Sequence, residues 1–397
     1  MIIKKFNVII LAGGKGSRIK NYLSSNPKPL VKIGKMSFLK QLIQNISKYN
    51  VNKIIILAGY RGKKIYDKFH GKKINLIDIE CVIEEVPLGT GGCLALIKKK
   101  IDDKFIVING DTFFDIDLNN FFNNFLKKNE SLIALSNDTN YSQNNKLIGL
   151  TVNKENKISF QEKSKLFNGG IYLFNKNFLN KIKLTKCSLE EDLLKPEIIK
   201  KNVIGKLFVN FFIDIGTPKN FKRANKILVN YLTRPALFID RDGTINIDKG
   251  YTHKVKDLLF IKKTIQVMKY IYNKKYFLFI VTNQAGIAKN LFDIEDFYKF
   301  QEQLKYKLYK KQILINDIKF CPFHKNGIIK EYTKISKYRK PDNLMIKSLL
   351  NNHNILVKKS LMIGNTKSDE LCAKKSGLIF FNVNSKNFLK EIKKFIN

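Results

Sequence analysis

The chain has 397 residues, 44% of them hydrophobic, which allows two domains with full cores and excludes a disordered chain. Its formal net charge of +40 comes from 73 Lys and Arg against 33 Asp and Glu, spread along the whole length. A nucleic-acid surface gathers its basic residues on one element, so this charge reads as solvated lysine that favours anionic small molecules, with no nucleic-acid partner.

No apolar run approaches the roughly 18 residues of a membrane span, so no membrane partner is expected. The apolar run after the charged N-terminus is shorter than the roughly 7–15 residues of a signal-peptide core, and it ends in glycines. The five cysteines (Cys81, Cys93, Cys187, Cys321 and Cys372) are odd in number and dispersed, which describes reduced thiols. The expectation is a cytoplasmic protein. Nothing in the residues marks an oligomeric state.

In chain order, the apolar stretch 8–10 reads as a strand feeding the loop Leu11-Ala12-Gly13-Gly14-Lys15-Gly16-Ser17-Arg18. Glycines let backbone N–H groups come close to phosphate, and Arg18 and Lys28, the latter between Pro27 and Pro29, add positive charge. The spacing of Phe38, Leu39, Leu42, Ile43 and Ile46 predicts a helix over 38–49, and strands are expected at 51–58, 74–82 and 105–109. Strands alternating with helices argue for a mostly parallel, doubly wound sheet, with ligands at the carboxyl ends of its strands. A second glycine-rich turn runs from Glu85 to Gly92 and suits a flat base lying against backbone. Asp111 and Asp214 each close a strand pattern, and two such carboxylates make a natural Mg²⁺ pair.

A helical segment over 220–232 leads to Thr233-Arg234-Pro235, where proline stops it, so the domain boundary is placed near Thr233, with a very short linker. The next strand ends Asp240-Arg241-Asp242-Gly243-Thr244. The first aspartate can attack phosphorus, and the second can protonate the leaving alcohol and later activate water. Further strands lead into Thr282-Asn283-Gln284 and Gly364-Asn365, with Arg339-Lys340-Pro341 between them.

Leu11–Arg18, Pro27–Leu30, Leu88–Gly92, Asn109–Asp111, Glu162-Lys163, Asn168–Gly170 and Asp214–Gly216, in that order, resemble the sugar-1-phosphate nucleotidyltransferases over about residues 1–232. The resemblance implies a Rossmann-like, GT-A-like domain. Backbone of Leu11, Ala12, Gly13, Gly14 and Gly16 would hold the NTP, with Arg18 and Lys28 on its phosphates and Gly89 and Thr90 at the base. Asp111 also lies at the nucleotide, and it would hold Mg²⁺ together with Asp214. Glu162, Asn168 and Gly169 would meet the sugar, and Lys163 its phosphate. The run 109–118 and the stretch 188–192 resemble the heptose-1-phosphate guanylyltransferase branch, which favours GTP.

Residues 235–397 resemble the haloacid dehalogenase-like phosphatases, in their histidinol-phosphate and heptose-bisphosphate branch, and imply a capless Rossmannoid domain. The resemblance makes Asp240 the nucleophile and Asp242 the general acid and base. Thr282 and Lys340 would take the phosphoryl group, Asn283 and Arg339 the substrate, and Asp240, Asp242 and Asn365 the Mg²⁺. The chain departs from the branch twice. Cys321 and His324 supply only half a zinc loop, since Ser336 and Tyr338 stand where two more ligands would fall, so zinc is not expected. Asn365 stands where an aspartate normally completes the Mg²⁺ site. The two resemblances together imply a bifunctional enzyme that dephosphorylates heptose 1,7-bisphosphate and couples heptose 1-phosphate to an NTP. Two alternatives remain open at this point: another hexose-1-phosphate nucleotidyltransferase, such as a mannose-1-phosphate guanylyltransferase, and a second domain that is histidinol-phosphatase-like or non-catalytic.

Overall fold

The computed structural model describes residues 4–23, 25–101, 103–124, 126–138, 149–162 and 164–397. The chain divides into two compact units, Lys4–Val229 and Asn230–Asn397.

The first unit is built on an eight-stranded sheet around β1 (Phe6–Leu11), in which Val8, Ile9 and Ile10 are fully buried. A strand covered on both faces reads as a continuous apolar run, which is why its pattern does not alternate. Helix α1 (Phe38–Ser47) precedes β2 (Val51–Ala58), which lies parallel to β1 on one side. Beyond β2 lies β3 (Ile77–Ile83), and β4 (Phe105–Asn109) flanks β1 on the other side; all four are parallel. The expected single strand over 74–82 is instead a hairpin, with Lys73–Ile74 turning back on β3 through Asn75 at φ 48° and Leu76 at φ 65°. The buried Asn75 side chain holds that turn by donating to the Ser47 carbonyl at 2.9 Å.

β5 (Ser131–Ser136), β6 (Phe167–Phe174) and β7 (Val203–Leu207) extend the sheet past β4. β6 runs antiparallel to both β4 and β5, so the sheet is mixed. Strand direction leaves no mark on an apolar run, and the residues could not reveal this reversal. Outside the main sheet, the short strands Thr112–Phe114 and Phe212–Asp214 pair antiparallel. Helix α2 (Pro218–Tyr231) closes the unit.

The second unit is a five-stranded, all-parallel sheet. β8 (Ala236–Ile239) lies at its centre, between β9 (Phe277–Asn283) and β11 (Leu361–Gly364). β10 (Asp317–Cys321) and β12 (Ile379–Asn382) form the edges. The core on one face joins Phe238, Phe279, Met345, Met362 and Cys372. Between β8 and β9 the chain makes a loop and the one longer helix α3 (Lys262–Asn273), with no inserted cap domain. Among the described residues no helix is long and apolar enough to cross a membrane.

Candidate active sites

In the first unit the strand ends of β1, β2 and β4 open a cavity of about 800 Å³. The loop after β1 is tied down on both sides: Ala12 N–H donates to the Leu57 carbonyl at 2.8 Å, and Gly110 N–H donates to the Leu11 carbonyl at 2.9 Å. Leu11, Ala12, Gly13, Gly14, Gly16 and Arg18 all line the cavity, together with Lys28, Gly89, Thr90 and Asp111. The structure therefore gathers ten residues singled out in the sequence.

Asp214 reaches the same place through the small antiparallel pair, which sets it opposite Thr112, the neighbour of Asp111. The Lys28 ammonium donates to Asp111 Oδ2. Asp214 Oδ1 accepts from Gly216 N–H at 2.8 Å and from Asn220 at 3.3 Å. Burial pushes the Asp214 carboxyl up to about 6, the charge of Asp111 pushes the same way, and Lys28 pulls against both.

The sugar-side expectations fare differently. Glu162 is exposed and is not among the residues that line the cavity; Lys163 lies outside the described residues. Asn168 and Gly169 open β6, where the pairing with β5 shifts register. A Cβ on Gly169 would stand 2.5 Å from the Phe114 ring, so packing alone requires this glycine. The second glycine turn is likewise built for close packing. Cβ atoms on Gly89 and Gly92 would stand 2.4 and 2.0 Å from the carbonyl oxygens of Cys187 and Thr185, and Gly91 N–H donates to the Cys187 carbonyl at 2.9 Å. The turn's glycines are thus explained by the segment 185–187 behind them. Glu84 and Lys186 also line the cavity and were not singled out, since isolated polar residues in loops carry no sequence signal; Asn109 lines it too, from the motif 109–111 in which no role was given to it.

In the second unit β8 delivers Asp240, β9 delivers Thr282 and Asn283, and β11 delivers Asn365. Lys340 is buried and lies between two aspartates, 2.7 Å from Asp240 Oδ1 and 2.6 Å from Asp369 Oδ1, and it also donates to the Val281 carbonyl at 2.9 Å. Burial by itself would lower the Lys340 pKa, but the two carboxylates override it and leave it raised. Burial pushes the Asp240 carboxyl up to about 6 against the pull of Lys340.

Asp369 was not singled out as a site residue, because Thr366-Lys367-Ser368-Asp369 also reads as an ordinary helix start. It does complete a capping box with Thr366 at the start of α4 (Lys367–Lys375), and its other oxygen serves Lys340. Asn283, expected to touch substrate, instead clasps the Lys340 backbone through both its amide atoms, each at 3.0 Å. Arg339 donates to the Phe323 carbonyl at 3.5 Å.

Asp242 is turned onto a cage. Arg241 approaches it in a fork at 2.9 and 2.7 Å, Asn246 donates at 3.1 Å and Gln284 at 2.9 Å. Its carboxylate therefore does not stand free as a metal ligand in this arrangement. Arg241 is buried against the Phe300 ring, 4.5 Å from its centre. Asn365 Oδ1 accepts from the Thr244 hydroxyl at 3.3 Å. The Cys321 thiol lies 3.8 Å from the Phe323 carbonyl, and His324 Nδ1 accepts from Asn326 N–H at 3.1 Å. Among the described residues no three His, Cys, Asp or Glu side chains gather as a metal-ligand group.

Residues 7–230 match the nucleotidyl transferase family, and residues 236–378 match the polynucleotide kinase 3 phosphatase family. The chain is similar to the D-glycero-alpha-D-manno-heptose 1-phosphate guanylyltransferase of Aneurinibacillus thermoaerophilus, 32% identical over 232 residues, 56% of this chain and 99% of that protein. The protein of the same name from Campylobacter jejuni is 36% identical over 222 residues, 54% of this chain and 96% of that protein. The C-terminal part is similar to the D-glycero-beta-D-manno-heptose-1,7-bisphosphate 7-phosphatase of Photorhabdus laumondii, 38% identical over 135 residues, 34% of this chain and 72% of that protein.

Proposed function

The chain belongs to the nucleotidyl transferase family, whose match covers more than half its length, and from that premise we propose a bifunctional enzyme of heptose activation. In this reading residues 235–397 remove the 7-phosphate of a heptose 1,7-bisphosphate. Residues 1–232 join the resulting heptose 1-phosphate to a nucleotide, GTP being favoured, and release pyrophosphate. The observation that carries it is the pairing, on one chain, of similarity to a heptose-bisphosphate 7-phosphatase and to a heptose 1-phosphate guanylyltransferase: removing a 7-phosphate leaves the class of sugar 1-phosphate that such a transferase takes up.

The transfer step needs no covalent intermediate. An oxygen of the sugar phosphate attacks the α-phosphorus and the bond to pyrophosphate breaks, so the protein positions both substrates and neutralises charge. Arg18 and Lys28 face the phosphates, and Lys28 can exchange Asp111 for a phosphate oxygen without leaving the cavity. In the second unit Asp240 attacks phosphorus and the bond to the sugar oxygen breaks. Asp242, out of its cage and carrying a proton, gives that proton to the sugar oxygen and regains one from the water that opens the aspartyl-phosphate and frees phosphate.

Both sites suit Mg²⁺. Each sets two carboxylates against one lysine, a net charge of −1, and burial raises one carboxyl of each to about 6. Hard oxygen donors with surplus negative charge fit a divalent cation, held by Asp111 and Asp214 in the first unit and by Asp240 and Asn365 in the second. Bound there, it would draw charge from the phosphate oxygens.

The relatives' names differ in anomer, alpha for the transferases and beta for the phosphatase. Hydrolysis at C7 breaks no bond at C1, so consecutive action requires this phosphatase unit to accept the alpha bisphosphate. The test supplies alpha and beta heptose 1,7-bisphosphate separately with mixed NTPs and weighs the products by mass spectrometry. GDP-heptose from the alpha substrate is expected. Hydrolysis of the beta form alone would separate the two reactions, and no nucleotide sugar from any NTP would overturn the transferase reading.

A further inference from the structure

The second glycine turn and the start of β6 are joined by a run of side chains whose middle members, Glu190 and Tyr172, have no task in the roles above. The Thr90 hydroxyl donates to Glu190 Oε2 at 3.1 Å, and the Tyr172 hydroxyl donates to Glu190 Oε1 at 2.9 Å. Tyr172 in turn accepts from Asn168 Nδ2 at 2.9 Å. Both ends are anchored in backbone: Leu189 N–H donates to Thr90 Oγ1 at 2.9 Å, and Gly170 N–H donates to Asn168 Oδ1 at 2.9 Å.

Tyr172 has no freedom to turn away. It is fully buried, with its ring stacked on Phe174 at 5.7 Å between centres and 8° between planes. Burial, and next the Glu190 charge, hold its phenol well above the usual value, so it remains a donor at every working pH. Glu190 must accept two hydroxyls at once, one on each oxygen. A carboxylate does this, whereas an amide would set its NH₂ against one of them. Hydrogen bonds to an ionised acceptor are also roughly twice as strong as neutral ones.

We propose that Glu190 is a positioning residue that couples the nucleotide loop at Thr90 to the sugar subsite at Asn168, so that either ligand orders the site for the other. The proposal rests on the transferase reading, in which Thr90 meets the base and Asn168 the sugar hydroxyls. The relay has a polarity that makes it testable. Tyr172→Phe cuts its middle and leaves the Thr90–Glu190 bond in place, Thr90→Val cuts one end, and Glu190→Gln disturbs both branches.

The experiment measures binding calorimetrically on the full chain with Mg²⁺. The probes are α,β-methylene GTP, which cannot lose pyrophosphate, and D-glycero-α-D-manno-heptose 1-phosphate, each alone and in the presence of the other. In the parent protein each ligand is expected to tighten the other about tenfold, within the usual range of coupling between sites. Glu190→Gln weakens both ligands and removes the coupling. Tyr172→Phe weakens the sugar phosphate, spares the nucleotide and also removes the coupling. Amide hydrogen exchange is read in parallel at Gly91 and Gly92, whose turn packs on the segment leading to Glu190; Tyr172→Phe is expected to speed it. Variants that lower only the melting temperature, with both affinities and their coupling kept, would reduce Glu190 to an ordinary structural bond and overturn the proposal. Failure of the parent chain to bind the nucleotide would overturn the transferase reading instead. In that case unchanged exchange at Gly91 and Gly92 in Tyr172→Phe would still overturn the coupling, and faster exchange would uphold it.

Discussion

Each unit of this chain balances one lysine against two aspartates, and the two lysines are held in contrasting ways. Lys28 ion-pairs with Asp111, whose side chain is 32% exposed at the mouth of a cavity. Lys340 is paired on both sides, and its partners Asp240 and Asp369 are 12% and 0% exposed. An ion pair open to a cavity can be exchanged for a ligand phosphate at little cost. A buried triad cannot, because taking its lysine away strands two carboxylates with no counter-charge. The first site is therefore arranged to let its lysine move onto substrate. The second is a fixed frame in which the same aspartate that holds the lysine also caps a helix.

The largest expected effect tests this contrast directly. Lys340→Met should destabilise the second unit by about 3–5 kcal/mol and abolish phosphate release. Lys28→Met should cost the first unit less, because Asp111 stays open to water in the cavity, while still suppressing pyrophosphate release. Thermal unfolding with both product assays reads the pair, and equal losses of stability would erase the distinction. Next, Asp111→Ala should remove pyrophosphate release and spare phosphate release, with Asp240→Asn doing the reverse. Loss of both products from either substitution would sink the two-site account.

A smaller effect is expected at Gly92, where a Cβ would stand 2.0 Å from the Thr185 carbonyl. Gly92→Ala should cost about 1–3 kcal/mol and weaken nucleotide binding, because the turn must move off its support; an unchanged melting curve would show that the packing is not needed. Asn365→Asp adds a charge to the fixed frame and should lower the Mg²⁺ concentration for half-maximal phosphate release by roughly tenfold, read by metal titration.

A further effect, on stability alone, concerns Asp317, a buried aspartate of β10 away from the Asp240 triad. Burial would push its carboxyl up, but Lys319 at 3.1 Å and His353 at 3.8 Å override this and leave it below the ordinary range. A lowered folded-state pKa stabilises above the unfolded value, and that gain is lost as pH falls through the folded value. Asp317→Asn should therefore cost about 1–3 kcal/mol near pH 7 in denaturant unfolding. Its difference from the parent should shrink only below about pH 4, the model-peptide carboxylate value. A constant difference across that range would show that charge plays no part.

Much of both sites was legible in the residues. The loop at 11–18, Lys28, Asp111 and Asp214 were readable because glycine and carboxylate at a strand end reflect local backbone demands. The same holds for Asp240, Thr282 and Lys340. Asp369 was hidden because a helix cap and an ion-pair partner look alike in sequence. Asn283 was visible as a motif residue, but nothing in the sequence showed that its amide fixes the Lys340 backbone. The glycines at 89–92 were noticed for a different reason from the one that requires them.

Read alone, the sequence determined two α/β units, the strands at their centres, and the glycine and carboxylate residues at the ends of those strands. Each follows from apolar spacing and from residues next to one another. Only the tertiary structure decided the reversal of β6, the exposure of Asp111 beside Lys28 against the burial of Asp240 and Asp369 beside Lys340, and the meeting of Thr90 with Glu190, 100 residues further on. Such pairings are set by how distant elements pack, and no local pattern of residues records them.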